Sequence, residues 1–492
     1  MALYNDTDFI SKLSKNWKDI KKLVQQKRQE LDLESKTKDI HTIHNLILNY
    51  VIQNRRKVYG GYALNILLLE KDKNDAIYTE DDNPDIDFYS PEPLFDLEQI
   101  CLLLYSNGYK NIVGKEAQHQ ETFSIFVDNL QYCDITYVPK NIYSRMQFIT
   151  IKNITITHPT FLTIDYLRMI TDPMISYWRF DNDLKSFKRF YLLQKHYNFS
   201  MYKNSISVSN STDLVNIALN IIYKFILNNE SIINIGFFGY NYLLNKSNVL
   251  NDKSFKLKLK LVPMPYYEFI STNYRTDALE LIKLLNKNDL LKSKNIVVKE
   301  FYPFFQLTGH HVEIYFGDDM IAKIYNHNKK CTPYIDVEAI NFNKEIIENE
   351  PKKFIRMGSF QLNILYMLTT AIKGRVDNDE DETELNYTLI YHLIEIRNYY
   401  LEKYNKTIFD DTIFKEFVIN CIGFTITPEK QRDLIIKERK KNRQRMVIRF
   451  EPNEGDKHIE PFNFSNSSGN QINNIKNLKL GKNENDENNA IE

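Results

Sequence analysis

The residues best suited to chemistry lie in Val58–Ser90, VYGGYALNILLLEKDKNDAIYTEDDNPDIDFYS. Pro84-Asp85-Ile86-Asp87-Phe88-Tyr89 reads as a short strand. Side chains alternate along a strand, so Asp85 and Asp87 share one face, while Ile86 and Phe88 share the other. Two neighbouring carboxylates repel, and a divalent cation between them removes the repulsion. Upstream, Gly60-Gly61 stands between an apolar pair and a helical run, Tyr62 to Glu70. A strand–glycine–helix junction presents unpaired backbone N–H groups at a helix N-terminus, where a phosphate can approach closely. Paired carboxylates beside a phosphate cradle are the equipment of metal-assisted nucleotidyl transfer.

A third carboxylate is expected on a neighbouring strand. Thr122–Val138, TFSIFVDNLQYCDITYV, reads as a hairpin turning at Asp128-Asn129. Asp134 falls mid-strand between Cys133 and Ile135, where a charge is costly unless paired or bound to metal.

Gly60-Gly61, Asp85-x-Asp87 and Asp134 resemble the signature of polymerase β-type nucleotidyltransferases. VYGGYALN, NPDIDFYSPEP, YCDITYVP and ISYWRFDNDLKSFKRFYLLQKHY resemble the poly(A) polymerase catalytic subunit of poxviruses and giant DNA viruses, closely over residues 55–197 and loosely beyond. One departure is the 23-residue gap between Gly61 and Asp85, which marks Asp72–Asn83 as a looped insertion. The resemblance implies template-independent addition of AMP from ATP to the 3′ end of mRNA. Asp85, Asp87 and Asp134 would hold two Mg²⁺ or Mn²⁺ ions, and Gly60 and Gly61 would hold phosphates. In this superfamily a basic residue near the helix after the hairpin reaches the triphosphate; Arg179, Lys188 and Arg189 are the candidates. The resemblance further implies RNA as partner, self-association or a processivity subunit, and residence in the host-cytoplasm viral factory and the virion. CCA addition, transfer to a small acceptor and a non-catalytic RNA-binding scaffold remain open from the residues alone.

These elements must be positioned by the rest of the chain. Its 492 residues suffice for more than one domain. Formal net charge is +0, so any grip on a nucleic acid must come from local patches. Cys101, Cys133, Cys331 and Cys421 lack metal spacing, which argues against a zinc site or disulfide framework and for a reducing compartment. The N-terminus lacks a signal-peptide core and no apolar run is long enough for a bilayer, so a soluble intracellular protein with no membrane partner is expected.

Residues 1–54 read as an N-terminal helical segment with a basic face. Residues 55–200 form the catalytic domain, with helices at Phe161–Thr171 and Asp181–Tyr197; the second turns Phe187, Phe190, Leu193 and Tyr197 inward and Lys185, Lys188, Arg189 and Lys195 outward. Ser200–Asp213 is a Ser/Asn-rich boundary. Residues 210–425 repeat the first domain in degenerate form. On this reading Gly239 falls on Gly60 and Tyr240 on Gly61, Tyr266 on Asp85, Glu268 on Asp87, and Lys323 on Asp134. A lysine in a cation site opposes metal, so the second copy is expected to be inactive. Its helices at Ser359–Ile372 and Glu384–Tyr404 flank an acidic loop, Asp377–Glu384, read as solvated. Within 430–450, Lys437–Arg449 carries seven basic residues and one acid, the strongest patch for RNA phosphates. Residues 465–492 have the composition of a disordered tail. The expected class is α+β: two tandem nucleotidyltransferase-like domains, each a mixed sheet with flanking helices, the second degenerate, plus an N-terminal helical segment.

Overall fold

The computed structural model describes residues 9–79, 82–117, 121–172, 184–199, 206, 212–291, 296–342, 353–443 and 448–453. Most of the boundary 200–213, Arg179 and the tail 465–492 lie outside the described residues. Among the described residues no helix is long and apolar enough to cross a membrane.

The first domain comprises α1 (Phe9–Gln53), β1 (Lys57–Tyr59), α2 (Gly60–Lys71), β2 (Ile86–Ser90), α3 (Pro93–Ser106), β3 (Ile112–Glu116), β4 (Thr122–Val127) and β5 (Leu130–Tyr137). It continues through α4 (Lys140–Arg145), β6 (Phe148–Ile151), β7 (Ile154–Thr157), α5 (Pro159–Thr171) and α6 (Lys185–His196). The N-terminal segment is one 45-residue helix rather than several. Its C-terminal part packs Ile43, Ile47, Tyr50 and Val51 into the core.

The second domain holds α7 (Asp213–Leu227), β8 (Ile232–Ile235), α8 (Phe237–Lys246), β9 (Tyr267–Ser271), α9 (Tyr274–Asn286), β10 (Ile296–Phe301), β11 (His311–Phe316) and β12 (Asp319–Asn326). Then follow β13 (Thr332–Glu338), β14 (Phe354–Gly358), α10 (Phe360–Asp377), α11 (Glu380–Lys403), β15 (Cys421–Ile422), α12 (Pro428–Lys441) and β16 (Arg449–Phe450).

The two sheets share one plan. The first runs β16-β3-β4-β5-β2-β1-β7-β6 and the second β10-β11-β12-β9-β8-β14-β13-β15. Setting aside the short edge strands β16 and β15, the seven-strand orders coincide. The directions coincide as well: β2 runs parallel to β5 as β9 does to β12, and β1 parallel to β7 as β8 does to β14. Even the irregularities match. The β4–β5 register shifts between Ile125 and Phe126, and the β11–β12 register shifts between Ile314 and Tyr315, the same positions relative to Asp134 and Lys323. This α+β architecture of two tandem mixed sheets is the one expected.

The Asp128-Asn129 turn forms, with both residues at positive φ, as a two-residue hairpin turn requires. The domains pack through a common apolar core: Tyr89, Val138, Ile142, Phe161 and Leu167 join the cluster of the second domain. Arg145 donates to the Val376 carbonyl across this boundary.

One expectation is corrected here. Cys331 and Cys421 are joined in a disulfide with Cα atoms 5.3 Å apart, despite a spacing of 90 residues that carries no signature. Antiparallel pairing of β13 with β15 brings them together, which the sequence does not show. The C-terminal stretch then crosses back to the first domain: β16 pairs with β3, and Arg439 makes a bidentate pair with Glu116 at 2.8 and 2.9 Å.

Candidate active site

The site is built on a row of paired residues running across four strands. Tyr59 of β1 pairs with Asp87 of β2, Asp87 with Asp134 of β5, and Asp134 with Ser124 of β4. Paired residues on adjacent strands face the same side, so the two carboxylates stand side by side on one sheet surface. Asp85 stands just ahead of β2, exposed, while Asp87 and Asp134 are half-buried.

Burial pushes the Asp87 carboxyl well above the usual range, and repulsion from Asp85 and Asp134 adds to it; Arg189 opposes. Asp134 is raised by burial and by Asp85, against the Ser124 hydroxyl, which donates to its Oδ1 at 2.5 Å. Among the described residues no three His, Cys, Asp or Glu side chains converge into a preformed ion cage. The donor set still fits a hard dication, being all oxygen, mutually repelling and open on one side through Asp85. Bound positive charge would relieve the repulsion that raises Asp87 and Asp134.

Gly60 lies directly over this pair. Its φ is +73°, and a Cβ there would lie 2.1 Å from Asp87 Oδ2. No side chain fits, and the backbone conformation disfavours one. Gly60→Ala is expected to cost roughly 1–3 kcal/mol of stability and to abolish activity by displacing Asp87. Thermal melting with a single-turnover assay checks this; a Gly60→Ala enzyme at wild-type rate would show that the close approach is dispensable.

Gly61 opens α2 beneath two side chains. Tyr78 Oη lies 2.6 Å, and Arg189 Nη1 3.1 Å, from where a Gly61 Cβ would stand. Arg189 Nη2 donates to Tyr78 Oη at 2.7 Å, and its guanidinium lies 5.2 Å from the ring centroid. Asn65 of α2 accepts from the Ile77 and Tyr78 N–H groups at 2.9 and 3.1 Å. Asp75 accepts from Lys195 Nζ at 2.6 Å and pairs with His196 Nε2 at 2.5 Å. The insertion is therefore strapped to both α2 and α6.

Of the two basic candidates among the described residues, Arg189 is the one that turns into the site. The outward orientation expected for it is wrong, because Tyr78 and the Asp87 charge draw it over Gly61. Lys188 does point outward and is exposed, which separates it from Gly61. Sequence reading missed Ser124, Tyr59 and Tyr78. Tyr59 Oη shares a 2.8 Å hydrogen bond with Thr136 Oγ1, and its ring stacks on Tyr89 at 4.1 Å.

In the second domain the corresponding row is Ile235, Glu268, Lys323 and Glu313. The glycine over it is Gly236, at φ +64°, whose Cβ would lie 2.1 Å from Glu268 Oε2. This corrects the expected match of Gly239 to Gly60: Gly236 is the counterpart, Phe237 follows it in place of Gly61, and Gly239 packs on Asn363. The asparagine five residues on is also repeated. Asn241 exchanges hydrogen bonds with Val262 at 2.8 and 2.9 Å, as Asn65 holds Ile77 and Tyr78. Lys323 is 2% exposed, and its ammonium occupies the place between carboxylates where a cation would sit in an active copy. Burial alone would lower its pKa, but Glu268, Glu382 and Glu313 outweigh that and raise it. Glu382 thus faces Lys323, so the stretch 377–384 is more than the solvated loop expected; α11 starts within it.

The fold and the glycine-covered carboxylate row define a nucleotidyltransferase of the polymerase β type. Comparison with known proteins agrees and is more specific. A family described as poly(A) polymerase catalytic subunit matches residues 45–176. A second, the C-terminal part of the APMV poly(A) polymerase catalytic subunit, matches residues 192–482. A protein of Acanthamoeba polyphaga mimivirus, assigned as a poly(A) polymerase catalytic subunit, is 31% identical over 471 residues, 89% of this chain and 78% of that one. A counterpart from African swine fever virus (strain Badajoz 1971 Vero-adapted) is 28% identical over 182 residues, 36% of each chain. The crystal structure of the Megavirus polyadenylate synthase superposes with a TM-score of 0.76 at 31% identity, covering 92% of this chain and 87% of that one. The chain belongs to the viral poly(A) polymerase catalytic subunit family and is an adenylyltransferase.

Proposed function

We propose that this enzyme transfers AMP from ATP to the 3′ end of mRNA without a template, with Asp85, Asp87 and Asp134 holding two divalent cations. The observation that carries the reading is the pairing of Asp87 with Asp134 beneath Gly60, with Arg189 over Gly61. The RNA 3′ oxygen forms a bond to the α-phosphorus, the α–β phosphoanhydride bond breaks, and pyrophosphate leaves. Mg²⁺ or Mn²⁺, when bound, would polarise the α-phosphate and lower the pKa of the 3′ hydroxyl. The Gly60 and Gly61 backbone would cradle the β- and γ-phosphates at the α2 N-terminus. Asp134, with one oxygen fixed by Ser124, is placed to position the 3′ hydroxyl or accept its proton.

Arg189 would neutralise developing charge on the leaving pyrophosphate. The Tyr78 hydroxyl accepts from Arg189, which leaves its own proton for a phosphate oxygen. Arg189→Ala is expected to lower kcat/KM for ATP roughly 10- to 100-fold, from loss of a charge-assisted contact. Tyr78→Phe should act through KM. Lys188→Ala, an exposed cation, should stay within about twofold. Steady-state rates against ATP concentration check all three; Lys188→Ala weaker than Arg189→Ala would reverse the assignment.

The deciding assay is a labelled RNA primer with Mg²⁺ or Mn²⁺ and each nucleoside triphosphate separately. Long ladders with ATP alone support the reading, and extension with every nucleotide equally would overturn the adenylate preference. The phrase "catalytic subunit" in the relatives' names supports assembly with a second copy or a processivity subunit. Light scattering of a strict monomer that makes long tails unaided would remove that part.

A further inference from the structure

We infer that the loop between α8 and β9 of the inactive domain is a binding track for the phosphodiester backbone of single-stranded RNA. This inference rests on the polymerase reading only for its choice of RNA. The carrier is Lys253, Lys256, Lys258 and Lys260, four exposed lysines in one eight-residue stretch.

The stretch is held in place along its length. At its start, Asp252 accepts from Tyr399 Oη at 2.6 Å, from Ser254 N and Oγ at 3.0 and 2.5 Å, and from the Lys403 ammonium. At its end, Val262 is buried and doubly hydrogen-bonded to Asn241. Between these anchors Phe255 is buried against Tyr399, with ring centroids 5.0 Å apart, and Leu257 and Leu259 pack on the core. Alternation does the rest. With Phe255, Leu257 and Leu259 turned in, Lys256, Lys258 and Lys260 turn out. The chain bends at Lys256 and Leu257 and then runs on without a turn from Lys258 to Lys260, where alternate residues of an extended chain stand about 6.7 Å apart. That is the scale on which phosphates follow one another along an extended single strand.

The charge is uncompensated. Among the described residues none of the four lysines has an ion-pair partner, and from 253 to 267 the sequence holds no acid. The acid just ahead, Asp252, is consumed by Lys403, which together with Ser254 and Tyr399 holds its carboxyl below the usual range. A solubilising surface mixes signs, and this chain does so overall, with 64 basic and 64 acidic residues. Four like charges on a pinned stretch of backbone depart from that balance. Tyr404, 40% exposed, adds an aromatic face beside the anchor, since the Lys403 ammonium lies 5.7 and 5.6 Å from the Tyr399 and Tyr404 ring centroids. A positive track next to an aromatic platform is how proteins hold single strands without reading sequence. The inactive copy would thus retain the strand while the active copy extends it.

The test compares wild type with Lys253→Glu/Lys256→Glu/Lys258→Glu/Lys260→Glu, and with the milder Lys256→Ala/Lys258→Ala, by fluorescence anisotropy on labelled single-stranded RNA over a salt series. Neutralising a single-strand phosphate contributes about 0.7 to the slope of log K against log salt, so four contacts contribute about 3. The quadruple variant is expected to bind a strand of roughly 40 nucleotides at least tenfold more weakly, with a slope shallower by about 3. The double variant should lose about half of that slope change. Addition of the first nucleotide to a primer of roughly 5 nucleotides, shorter than such a track, should keep its kcat. An unchanged salt slope in both variants overturns the inference. A wild type that extends primers yet shows no preference for the longer strand overturns it too, and leaves the polymerase reading standing. A wild type that loses strand affinity on mutation but adds no nucleotide sinks the polymerase reading and leaves the track.

Discussion

Asp87→Ala and Asp134→Ala are each expected to lower nucleotide addition by roughly a thousandfold or more while the chain stays folded. The two carboxylates are register partners on adjacent parallel strands, and neither makes a salt bridge among the described residues that the fold would lose. They are liabilities to the free protein. Burial and mutual repulsion raise both pKa values above those of the unfolded chain. A carboxylate whose folded pKa is raised stabilises below the unfolded value, and that contribution is lost as pH climbs through the folded one. Without divalent cations the protein should therefore melt at lower temperature as pH rises through the carboxylate range. Asp87→Asn should make that slope shallower, leaving the part due to Asp134, and gain roughly 0.5–2 kcal/mol while losing activity, the trade expected where a site stores repulsion for a ligand. Melting curves across pH with and without Mn²⁺ decide it. If Asp87→Asn melts lower than wild type at neutral pH, the carboxylates are not repelling. If both alanine variants keep near-wild-type rates, the site lies elsewhere.

The second large effect belongs to the second domain. Lys323→Met is expected to destabilise the protein by about 3–5 kcal/mol, because it leaves Glu268 and Glu313 facing each other across a buried gap with Glu382 nearby. Glu313 is held at about 2: burial would raise it, but His311, Lys323 and Tyr315 bring it down, and the Lys323 contribution would vanish. Adding Glu268→Gln and Glu313→Gln should recover much of the loss, since fewer charges then need a partner. Urea titration of the single and triple variants reads this directly; a single variant costing less than about 1 kcal/mol would mean the carboxylates are already neutral. Glu268→Ala should leave addition per folded molecule unchanged, yet lower stability, since Glu268 is 6% exposed and opposes Lys323.

Much of the site was legible in the chain because strand alternation and glycine chemistry are local rules. The grouping of Gly60-Gly61, Asp85-x-Asp87 and Asp134 follows from them, as do the Asp128-Asn129 turn and the placing of Lys323 at the position of Asp134. Ser124 was out of reach for one reason. A two-residue turn alone would put it opposite Cys133; the bulge between Ile125 and Phe126 slips the register by one and delivers it to Asp134. Gly236 was missed in favour of Gly239 because a glycine's role depends on φ and on what lies above it, and both are tertiary facts. The pairing of Cys331 with Cys421, Arg189 turning in while Lys188 stays out, and the pull of Glu382 on the Lys323 charge all join elements distant in sequence. The residues determined by themselves which carboxylates and glycines the first copy carries, and that the second copy has a lysine in place of one of those carboxylates. Only the tertiary structure decided which cation covers Gly61, which ammonium stands among the carboxylates of the second copy, and which lysines are held on one loop. Those outcomes depend on strand register and loop packing, and neither is encoded by spacing along the chain.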